Sequence, residues 1–303
     1  MDAAIKKHFQ QGIREKTQLT GGYTFMSWLL TLESGKKVVF RTRSDFTTSG
    51  GRKIIVSDIF KREAFFYDFV NKAIGRTCPE VYVVDGTCEH YDKPFQISEY
   101  LEGQRLDLCF DSLDAQEKSE IYYKYGELAA KINQIEIDEE HPYVTSRGPW
   151  EEYLAKRLCE RLVPLIANGV ITQSEIDAIS DMMRNSKAAK TLSFLHIDIR
   201  FINMIYSNGQ IYLIDAENCE FGDPLFELAV IDISDNLTED FWRGYESISQ
   251  KPDISSDLFY LYKMERQALV LDVFTNLVKN EAELTQKYLS VFKQIKHRLL
   301  YGG

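Results

Sequence analysis

Residues 194–218 read FLHIDIRFINMIYSNGQIYLIDAEN, a short β-rich stretch within sequence that is otherwise helical in pattern. The turn sequence SNG at 207–209 separates MIY from IYLID, a spacing that is typical of a β-hairpin. Asp198 and Asn203 precede this hairpin, and Asp215 lies at the end of its second strand. We therefore expect the hairpin to bring these three polar side chains to one cleft.

These residue types match what phosphoryl transfer requires. A carboxylate must orient the attacking hydroxyl group and accept its proton, while an amide and a second carboxylate hold Mg²⁺ against the triphosphate. Each residue alone says little, because buried aspartates often cap turns. Asp198, Asn203 and Asp215, in this order and followed by helical sequence, together favour catalysis.

The first hundred residues predict a small antiparallel sheet with one helix. The runs YTFMSWLLTLE and KKVVFRTR flank a turn at Ser34-Gly35 and have hairpin spacing. DIFKREAFFYDFVNKAIG follows with apolar residues at helical intervals, and EVYVVDG and PFQISEYLEG then have the composition of strands. The predicted order is strand, strand, helix, strand, strand.

Beyond Gly103 the pattern is helical for almost the whole length, apart from the β-rich stretch. We find no internal repeat, low-complexity tract or long linker. The sequence thus predicts an α+β fold with two lobes, a small antiparallel-β lobe at residues 1–100 and a larger, mostly helical lobe at 101–303. The segment from Glu99 to Gly103 is the predicted boundary.

The composition is that of a globular protein, with 303 residues of which 44% are hydrophobic and 27% charged. No apolar run approaches the roughly 20 residues that span a bilayer, and the first residues lack the apolar block of a signal peptide. The five cysteines are far apart and form no Cys-x-x-Cys pair, so reduced thiols are the simpler interpretation. We expect a cytoplasmic protein.

The net charge of −10 is unevenly distributed. Residues 1–100 carry 15 Lys/Arg and 12 Asp/Glu, whereas the remaining residues carry 21 and 34. The mildly basic part suits an anionic ligand such as a nucleotide, while the strongly acidic part repels nucleic acid and anionic membranes and attracts cations. Charge alone leaves open that the acidic residues only keep the surface soluble.

The sequence resembles the aminoglycoside phosphotransferase and choline kinase family, which has a protein-kinase-like fold. HIDIRFIN is similar to the catalytic loop of that family, LIDAENC to its metal-binding segment, and FGDPLFELAVID to the Gly-Asp-Pro-x-x-Asp-Leu-Ala run that follows. The resemblance implies Asp198 as the catalytic base, and Asn203 and Asp215 as ligands of Mg²⁺. It also implies that His196 is a structural partner of the catalytic loop and that Asp223 supports this loop.

In the first lobe the resemblance implies a site for ATP or GTP. Arg41 lies where kinases carry the lysine that pairs with the α and β phosphates, and Glu63 would be its partner on the helix. Gly21 and Gly22 would form the turn that covers the phosphates, because glycine allows a backbone to approach an anion closely. The alternative is that Arg41 and Glu63 are ordinary surface residues. The backbone of three hinge residues would bind the base, namely Glu99, Tyr100 and Leu101.

Three positions depart from the family pattern. Ile197 stands where glycine is usual, Ala216 where an aromatic residue is usual, and Glu227 where aspartate is usual. None of these changes removes a required catalytic group. Arg200 lies two residues after Asp198, where protein kinases keep a lysine beside the γ-phosphate. A catalytic role for Arg200 in the transition state and a simple surface salt bridge are equally open.

Residues 215–246 contain ten acidic residues and one basic residue. Asp232, Asp235 and Glu239 would share one helical face if the helix continues through them, and with Glu227 they are candidates for binding the acceptor. Such a face is either solvated or forms a pocket for an amine-bearing, cationic acceptor. The second interpretation fits the aminoglycoside branch of the family and a role in antibiotic resistance.

Other functions remain open at this point. Relatives phosphorylate macrolides, choline, homoserine, methylthioribose and other hydroxyl-bearing compounds, so the resemblance cannot choose the acceptor. A binding protein of the same fold would hold a nucleotide without transferring phosphate, although intact Asp198, Asn203 and Asp215 argue against this. A protein kinase is disfavoured, because the sequence has no Asp-Phe-Gly followed by an activation segment and Ala-Pro-Glu.

Overall fold

The computed structural model describes residues 1–19, 25–43, 56–136, 148–189, 191–277 and 282–302. The chain divides into two compact units. The N-terminal unit comprises Met1–Asp114 and Arg200–Cys219, and the helical unit comprises Ala115–Ile199 and Glu220–Gly303. The β-rich stretch at 194–218 is therefore divided between the two units. A functional division into lobes at residue 100 stays a prediction.

The described residues contain ten β-strands. They are β1 Ile13–Leu19, β2 Phe25–Leu32, β3 Lys37–Arg43, β4 Val81–Asp85, β5 Phe95–Glu99, β6 Gln104–Arg105, β7 Ser193–Leu195, β8 Met204–Ser207, β9 Gln210–Leu213 and β10 Glu220–Gly222. In the N-terminal unit, the first five strands form an antiparallel sheet of order β1-β2-β3-β5-β4, and β6, β8 and β9 form a second sheet. In the helical unit, β7 pairs with β10.

Ten α-helices are present in the described part of the chain. They are α1 Asp2–Phe9, α2 Val56–Ile74, α3 Leu106–Cys109, α4 Ala115–Asn133, α5 Trp150–Leu162, α6 Gln173–Arg184, α7 Pro224–Asp232, α8 Glu239–Glu246, α9 Asp257–Asp272 and α10 Ala282–Tyr301. A π-helical turn at Val273–Leu277 follows α9. Among the described residues, no helix is both long enough and apolar enough to cross a membrane.

The described part of residues 1–100 has the strand and helix order that the sequence predicts, with two additional elements. Strands β2, β3 and β5 bury alternate apolar residues in one core, where the rings of Phe40 and Phe95 stack at 5.0 Å. The sequence does not predict α1, which adds Ala4 and Ile5 to this core, or β1. Six of the seven residues of β1 are exposed, so this edge strand has no alternation of apolar residues by which it could be recognised.

The helical unit contains a close contact between α4 and α8. A Cβ atom on Gly126 would lie 1.9 Å from the carbonyl oxygen of Phe241, and one on Gly244 would lie 1.9 Å from the carbonyl oxygen of Tyr123. No side chain fits at either distance, so glycine is required at both positions. The two helices therefore approach each other backbone to backbone.

The predicted α+β class is confirmed, with an antiparallel sheet in the N-terminal region and a mostly helical C-terminal part. The predicted hairpin also forms, because Met204 to Ser207 pair with Leu213 to Gln210. Asn208 and Gly209 have φ values of 49° and 74°, which suit the tight turn of a two-residue hairpin.

Candidate active site

One group of charged side chains lies in the N-terminal unit, around Arg41 on β3. Arg41 Nη1 donates to both carboxylate oxygens of Glu63, at 2.8 and 2.7 Å, and Arg41 Nη2 donates to Asp215 Oδ1 at 2.5 Å. The Arg41 side chain is 11% exposed and that of Glu63 is 1% exposed. We call Arg41, Glu63 and Asp215 the Arg41 cluster. Neither Arg41 nor Glu63 is an ordinary surface residue.

Burial alone lowers the pKa of the Arg41 guanidinium, but the carboxylates of Glu63 and Asp215 raise the pKa of Arg41 well above its usual value. Arg41 is therefore a permanent cation held between two carboxylates. A guanidinium in such a position can bind phosphate oxygens through its fork of donors.

Tyr67 connects this cluster to the segment after Asp215. It follows Glu63 by one helical turn on α2, so both side chains lie on the same face of the helix. The Tyr67 hydroxyl group donates to Glu63 Oε1 at 2.9 Å and accepts from the backbone N–H of Ala216 at 3.4 Å. Burial, followed by the charge of Glu63, raises the pKa of Tyr67 well above its usual value, so its phenol stays protonated.

Two more contacts hold the segment after Asp215 against α2. Arg62 Nη2 donates to the carbonyl oxygen of Glu217 at 2.7 Å, and Cys219 Sγ lies 3.6 Å from the carbonyl oxygen of Arg62. Asp215 itself has a φ of 62°, in the left-handed region that few residues other than glycine adopt. Neighbouring contacts thus fix an unusual backbone conformation at a predicted metal ligand.

Asn203 lies in the same unit, at the end of the 3₁₀ turn Phe201–Asn203. Its backbone N–H donates to the carbonyl oxygen of Arg200 at 2.8 Å, and its carbonyl oxygen accepts from the N–H of Ile214 at 2.9 Å. The backbone of Asn203 is therefore bonded to the residue that precedes Asp215. Arg200, half-buried, caps this turn with an extended backbone.

The chemistry of these side chains fits Mg²⁺. Asp215 offers carboxylate oxygens and Asn203 an amide oxygen, which are hard ligands of the kind that Mg²⁺ prefers. Within the described ranges, no group of three or more His, Cys, Asp or Glu side chains could hold a metal ion. Mg²⁺ at phosphate-transfer sites typically uses only one or two protein ligands together with substrate phosphates, so two such residues are sufficient.

A second group of charged side chains lies in the helical unit, around Asp198. The Asp198 side chain is 12% exposed, and its Oδ1 accepts from Arg266 Nη2 at 2.6 Å. The backbone N–H of Asp198 donates to Nδ1 of His196 at 3.3 Å, and His196 is fully buried. Asp198 and its Arg266 partner, together with Glu227, form the Asp198 cluster.

Glu227 on α7 is fully buried, and its carboxylate accepts three hydrogen bonds from the backbone of the predicted catalytic loop. The N–H of His196 lies 2.6 Å from Oε2, and the N–H of Ile197 lies 3.0 and 3.2 Å from the two oxygens. Burial raises the pKa of Glu227 to about 7, against the lowering effect of these two N–H groups, while Asp198 raises it further and Arg266 lowers it. A carboxylate so enclosed cannot contact a substrate, so the sequence-based assignment of Glu227 to acceptor binding does not fit this geometry.

The loop that Glu227 holds contains a second unusual backbone conformation. Ile197 has a φ of 63° and is 4% exposed. A β-branched residue in this region is a conformational outlier, which explains why glycine is usual at this position in the family. The backbone N–H of Ile197, which donates to both carboxylate oxygens of Glu227, helps to hold Ile197 in place.

Asp223 contacts other parts of the helical unit. Its Oδ1 accepts from the N–H of Leu225 and caps α7, while its Oδ2 accepts from the N–H of Ala189 and from the hydroxyl group of Tyr262, each at 2.9 Å. The structure thus gives Glu227 the direct contact with the predicted catalytic loop that the sequence had suggested for Asp223.

The acidic residues after Glu227 do not form one helical face. Helix α7 ends at Asp232, Asp235 has a φ of 56°, and Glu239 begins α8. The predicted continuous face is therefore wrong. Asp232 also has a cationic partner, Lys263, whose Nζ lies 2.5 Å from its carboxylate. Asp235 is exposed.

The predicted hinge residues lie at the end of β5. Glu99 closes β5, and its carboxylate accepts from Arg76 and from the N–H of Glu80. Tyr100 is half-buried, and Leu101 is 9% exposed. The predicted phosphate-covering turn, Gly21 and Gly22, lies outside the described residues.

Sequence reasoning missed Arg266 and Tyr67. Arg266 lies 68 residues after Asp198 and carries no motif. One signal is that Glu265 and Arg266 lie in the stretch KMERQ, at 263–267, between apolar runs, and both are buried, at 0% and 6% exposure. Charged residues are rarely buried unless they are paired, so such a stretch marks a partner elsewhere.

The comparisons with known proteins concern the family and the fold of the chain. The model of the APH family, described as the phosphotransferase enzyme family, matches residues 16–254. No curated protein gives a significant match.

Solved structures share the fold at low identity. A proposed fructosamine-3-kinase from Haemophilus somnus 129PT is 16% identical, with a TM-score of 0.73, 99% of this chain covered and 96% of the other. A thermostable mutant of the aminoglycoside phosphotransferase APH(4)-Ia is also 16% identical, with a TM-score of 0.68 and coverage of 99% and 100%. The ternary complex of APH(2")-IIa with streptomycin and ATP is 16% identical, with a TM-score of 0.66 and coverage of 98% and 97%. Because the family model covers most of the chain, this protein belongs to the APH phosphotransferase family and is a kinase-type enzyme.

Proposed function

We propose that the protein transfers the γ-phosphoryl group of ATP or GTP to a hydroxyl group of an amine-bearing, polyhydroxylated small molecule. The observation that carries this proposal is the Arg41 cluster, in which one buried arginine joins the helix carboxylate Glu63 and the predicted metal ligand Asp215. Such an arrangement suits a polyphosphate, because it places a permanent cation beside a carboxylate that can hold a divalent metal.

In this proposal residues 1–100 bind the nucleotide. Arg41 binds the α and β phosphates, and Glu63 and Tyr67 keep it in position. Asp215 and Asn203 hold Mg²⁺, which when bound neutralises charge on the phosphate oxygens. Gly21 and Gly22 cover the phosphates. The hinge backbone binds the base, through Glu99, Tyr100 and Leu101.

Residues 101–303 then supply the acceptor site and the catalytic loop. Asp198 orients the acceptor hydroxyl group and accepts its proton, while His196 and Glu227 hold the loop. Arg200 stabilises charge on the transferred phosphoryl group. Since the donor is a nucleoside triphosphate, we place the reaction in the cytoplasm.

The proposed acceptor class rests on what two groups of similar structures share and on charge. Aminoglycosides and fructosamines are both amine-bearing polyols, and the solved structures name phosphotransferases or kinases of each class. Residues 215–246 carry ten acidic residues and one basic residue. Their field attracts a protonated amine. We prefer Asp235 and Glu239 as acceptor-facing groups to Asp232, because Lys263 already pairs with Asp232.

The test is a coupled assay of nucleoside diphosphate release from ATP or GTP, with and without Mg²⁺. The acceptors are kanamycin, gentamicin, streptomycin, a fructosamine, choline and homoserine. We expect release that depends on Mg²⁺ and on an amine-bearing polyol. Asp215→Ala should abolish it, and Asp181→Ala, which removes an exposed carboxylate, should not. Nucleotide binding without turnover for any acceptor would favour a binding protein of the same fold.

Salt and charge variants test the acceptor class separately. The KM for the acceptor should rise with ionic strength, because exposed charges are screened over about 8–10 Å. Asp235→Asn with Glu239→Gln should raise the acceptor KM and leave the nucleotide KM unchanged. A neutral alcohol turned over better than every amine would overturn the choice of acceptor but not the kinase chemistry.

A further inference from the structure

Arg266 on α9 forms an ion pair with Asp198. The two side chains are 7% and 12% exposed, and the 2.6 Å distance from Nη2 to Oδ1 is that of a charge-assisted hydrogen bond. A carboxylate is planar, so fixing Oδ1 also fixes the direction in which Oδ2 points. The contact thus constrains the orientation of the proposed base.

Helix α9 is itself held by buried ion pairs next to Arg266. Glu265, the preceding residue, is fully buried and accepts from Arg157 Nε at 2.5 Å and from Arg161 Nη1. Arg157 also donates to Glu220 Oε2 at 2.5 Å. These ion pairs join α9 to α5 and to β10. Such a network limits rotation and sliding of α9.

A second anchor lies one helical turn earlier on α9. The Tyr262 hydroxyl group donates to Asp223 Oδ2 at 2.9 Å and accepts from Trp150 Nε1 at 3.0 Å. Arg266 therefore projects from a helix that is fixed at two successive turns. Within the same unit, Tyr125 donates its hydroxyl group to the carbonyl oxygen of Ile199, immediately after Asp198. Both the base and its arginine partner lie on restrained backbone.

We infer that Arg266 is a positioning residue for phosphoryl transfer, which holds the Asp198 carboxylate in the orientation that meets the acceptor hydroxyl group. This inference rests on the proposed function. Arg266 acts through Asp198 and does not itself exchange a proton. An error of about 1 Å in the position of a catalytic group can lower a rate about 100-fold.

The experiment compares Arg266→Ala, Arg266→Lys and the control Lys296→Met. Lys296 on α10 forms a partly buried ion pair with Glu175 on α6 at 2.8 Å, also in the helical unit. The probe reaction is MgATP with the best acceptor of the assay panel or, if none is accepted, hydrolysis of MgATP by water. We expect Arg266→Ala to lower kcat by about 100-fold at an unchanged KM for ATP. Arg266→Lys should recover part of the loss, and Lys296→Met should leave kcat unchanged.

Two further measurements distinguish positioning from a general loss of structure. Added methylguanidinium should raise kcat of Arg266→Ala but not of the wild type, since it can occupy the vacated space and pair with Asp198. In the Asp198→Asn background, Arg266→Ala should lower kcat little further, because the effects of substitutions at residues that act through one another are not additive. The inference would be overturned if Arg266→Ala lowered kcat by the same factor in both backgrounds, or if Arg266→Ala kept the wild-type kcat. Either result would leave the proposed function standing. A wild type that neither transfers nor hydrolyses phosphate would contradict both.

Discussion

The two units stabilise a buried carboxylate in different ways. In the Arg41 cluster, Glu63 is paired with a guanidinium that it shares with Asp215. In the Asp198 cluster, Arg266 pairs with Asp198, and the buried Glu227 accepts hydrogen bonds from backbone N–H groups. In the first cluster, a side-chain cation neutralises the buried carboxylate of Glu63. In the second cluster, hydrogen bonds from backbone N–H groups stabilise the buried carboxylate of Glu227.

This difference has a chemical consequence. Arg41 remains charged at every pH at which the protein folds, because the surrounding carboxylates raise its pKa. Glu227 has a pKa of about 7, since backbone hydrogen bonds only partly offset the cost of burying its charge. The N-terminal unit thus carries a fixed cation suited to phosphate. The helical unit carries a carboxyl group that titrates near neutral pH beside the proposed catalytic loop.

The largest expected effect comes from Asp198→Asn, which removes the proposed base but keeps the shape of the side chain. It should lower kcat by about 10²–10⁴-fold, the usual range for acid–base catalysis, with nucleotide affinity nearly unchanged. Steady-state kinetics and a titration with ADP measure the two quantities. Asp253→Asn, at an exposed turn, is the matched control. Near-normal kcat for Asp198→Asn would remove Asp198 from the chemistry.

The next prediction concerns Glu227, whose carboxylate accepts hydrogen bonds from backbone N–H groups. The pKa of Glu227 is raised from 4.5 to about 7, so the folded state binds its proton more tightly than the unfolded state. The contribution of Glu227 to stability is therefore largest at low pH and is lost as the pH rises from 4.5 to 7. The shift corresponds to a loss of about 3 kcal/mol. Glu227→Gln cannot titrate and should remove this dependence.

Urea unfolding of the wild type and of Glu227→Gln between pH 4.5 and 8.5 checks the sign of this pH dependence. The difference in unfolding free energy, wild type minus variant, should fall with rising pH and level off above pH 7. Glu175→Gln is a control for which we expect a pH dependence of the opposite sign. Although burial opposes it, hydrogen bonds from Lys296 and Thr172 lower the pKa of Glu175, whose contribution is lost as the pH falls. A pH-independent difference for Glu227→Gln would show that Glu227 titrates normally.

Arg41→Ala tests the Arg41 cluster. It should raise the nucleotide KM by about 10- to 100-fold, because a charge-assisted contact with phosphate contributes about 1.5–3 kcal/mol. Arg41→Lys should recover part of this, since the charge survives but the fork of donors does not. Lys72→Ala, which breaks an exposed ion pair with Asp68 on α2, is the control. If Arg41→Ala kept the wild-type nucleotide KM, the cluster would have only a structural role.

The smallest effect is expected for Tyr67→Phe, which removes the hydroxyl group that joins Glu63 to the backbone of Ala216. One neutral hydrogen bond contributes about 1 kcal/mol, so the nucleotide KM should rise about fivefold, with a smaller change in kcat. Tyr245→Phe, which loses the bond from Asn133 in the helical unit, should leave the nucleotide KM unchanged. A larger effect of Tyr245→Phe on nucleotide KM would contradict the assignment of Tyr67 to the nucleotide side.

Much of the fold follows from local patterns in the sequence. Strands β2 and β3, helix α2 and the hairpin of β8 and β9 were predictable because period and turn residues are local properties. Strand β1 was not, because its exposed residues lack a period. The continuous acidic helix was wrong because the chain turns after Asp232, with Asp235 in the left-handed region. The sequence does carry a signal for that turn, since Ser234, Asp235 and Asn236 are residue types that favour turns.

The sequence by itself determined which residues are candidates for the chemistry, since Asp198, Asn203 and Asp215 lie in short motifs with recognisable spacing. Only the tertiary structure decided their partners. Arg41 and Asp215 are 174 residues apart, and Asp198 and Arg266 are 68 apart. Pairing of this kind depends on how helices and strands pack, and packing depends on contacts distributed over the whole chain rather than on a local period. For the same reason Glu227, a candidate for acceptor binding by its sequence, is instead a buried support of the predicted catalytic loop.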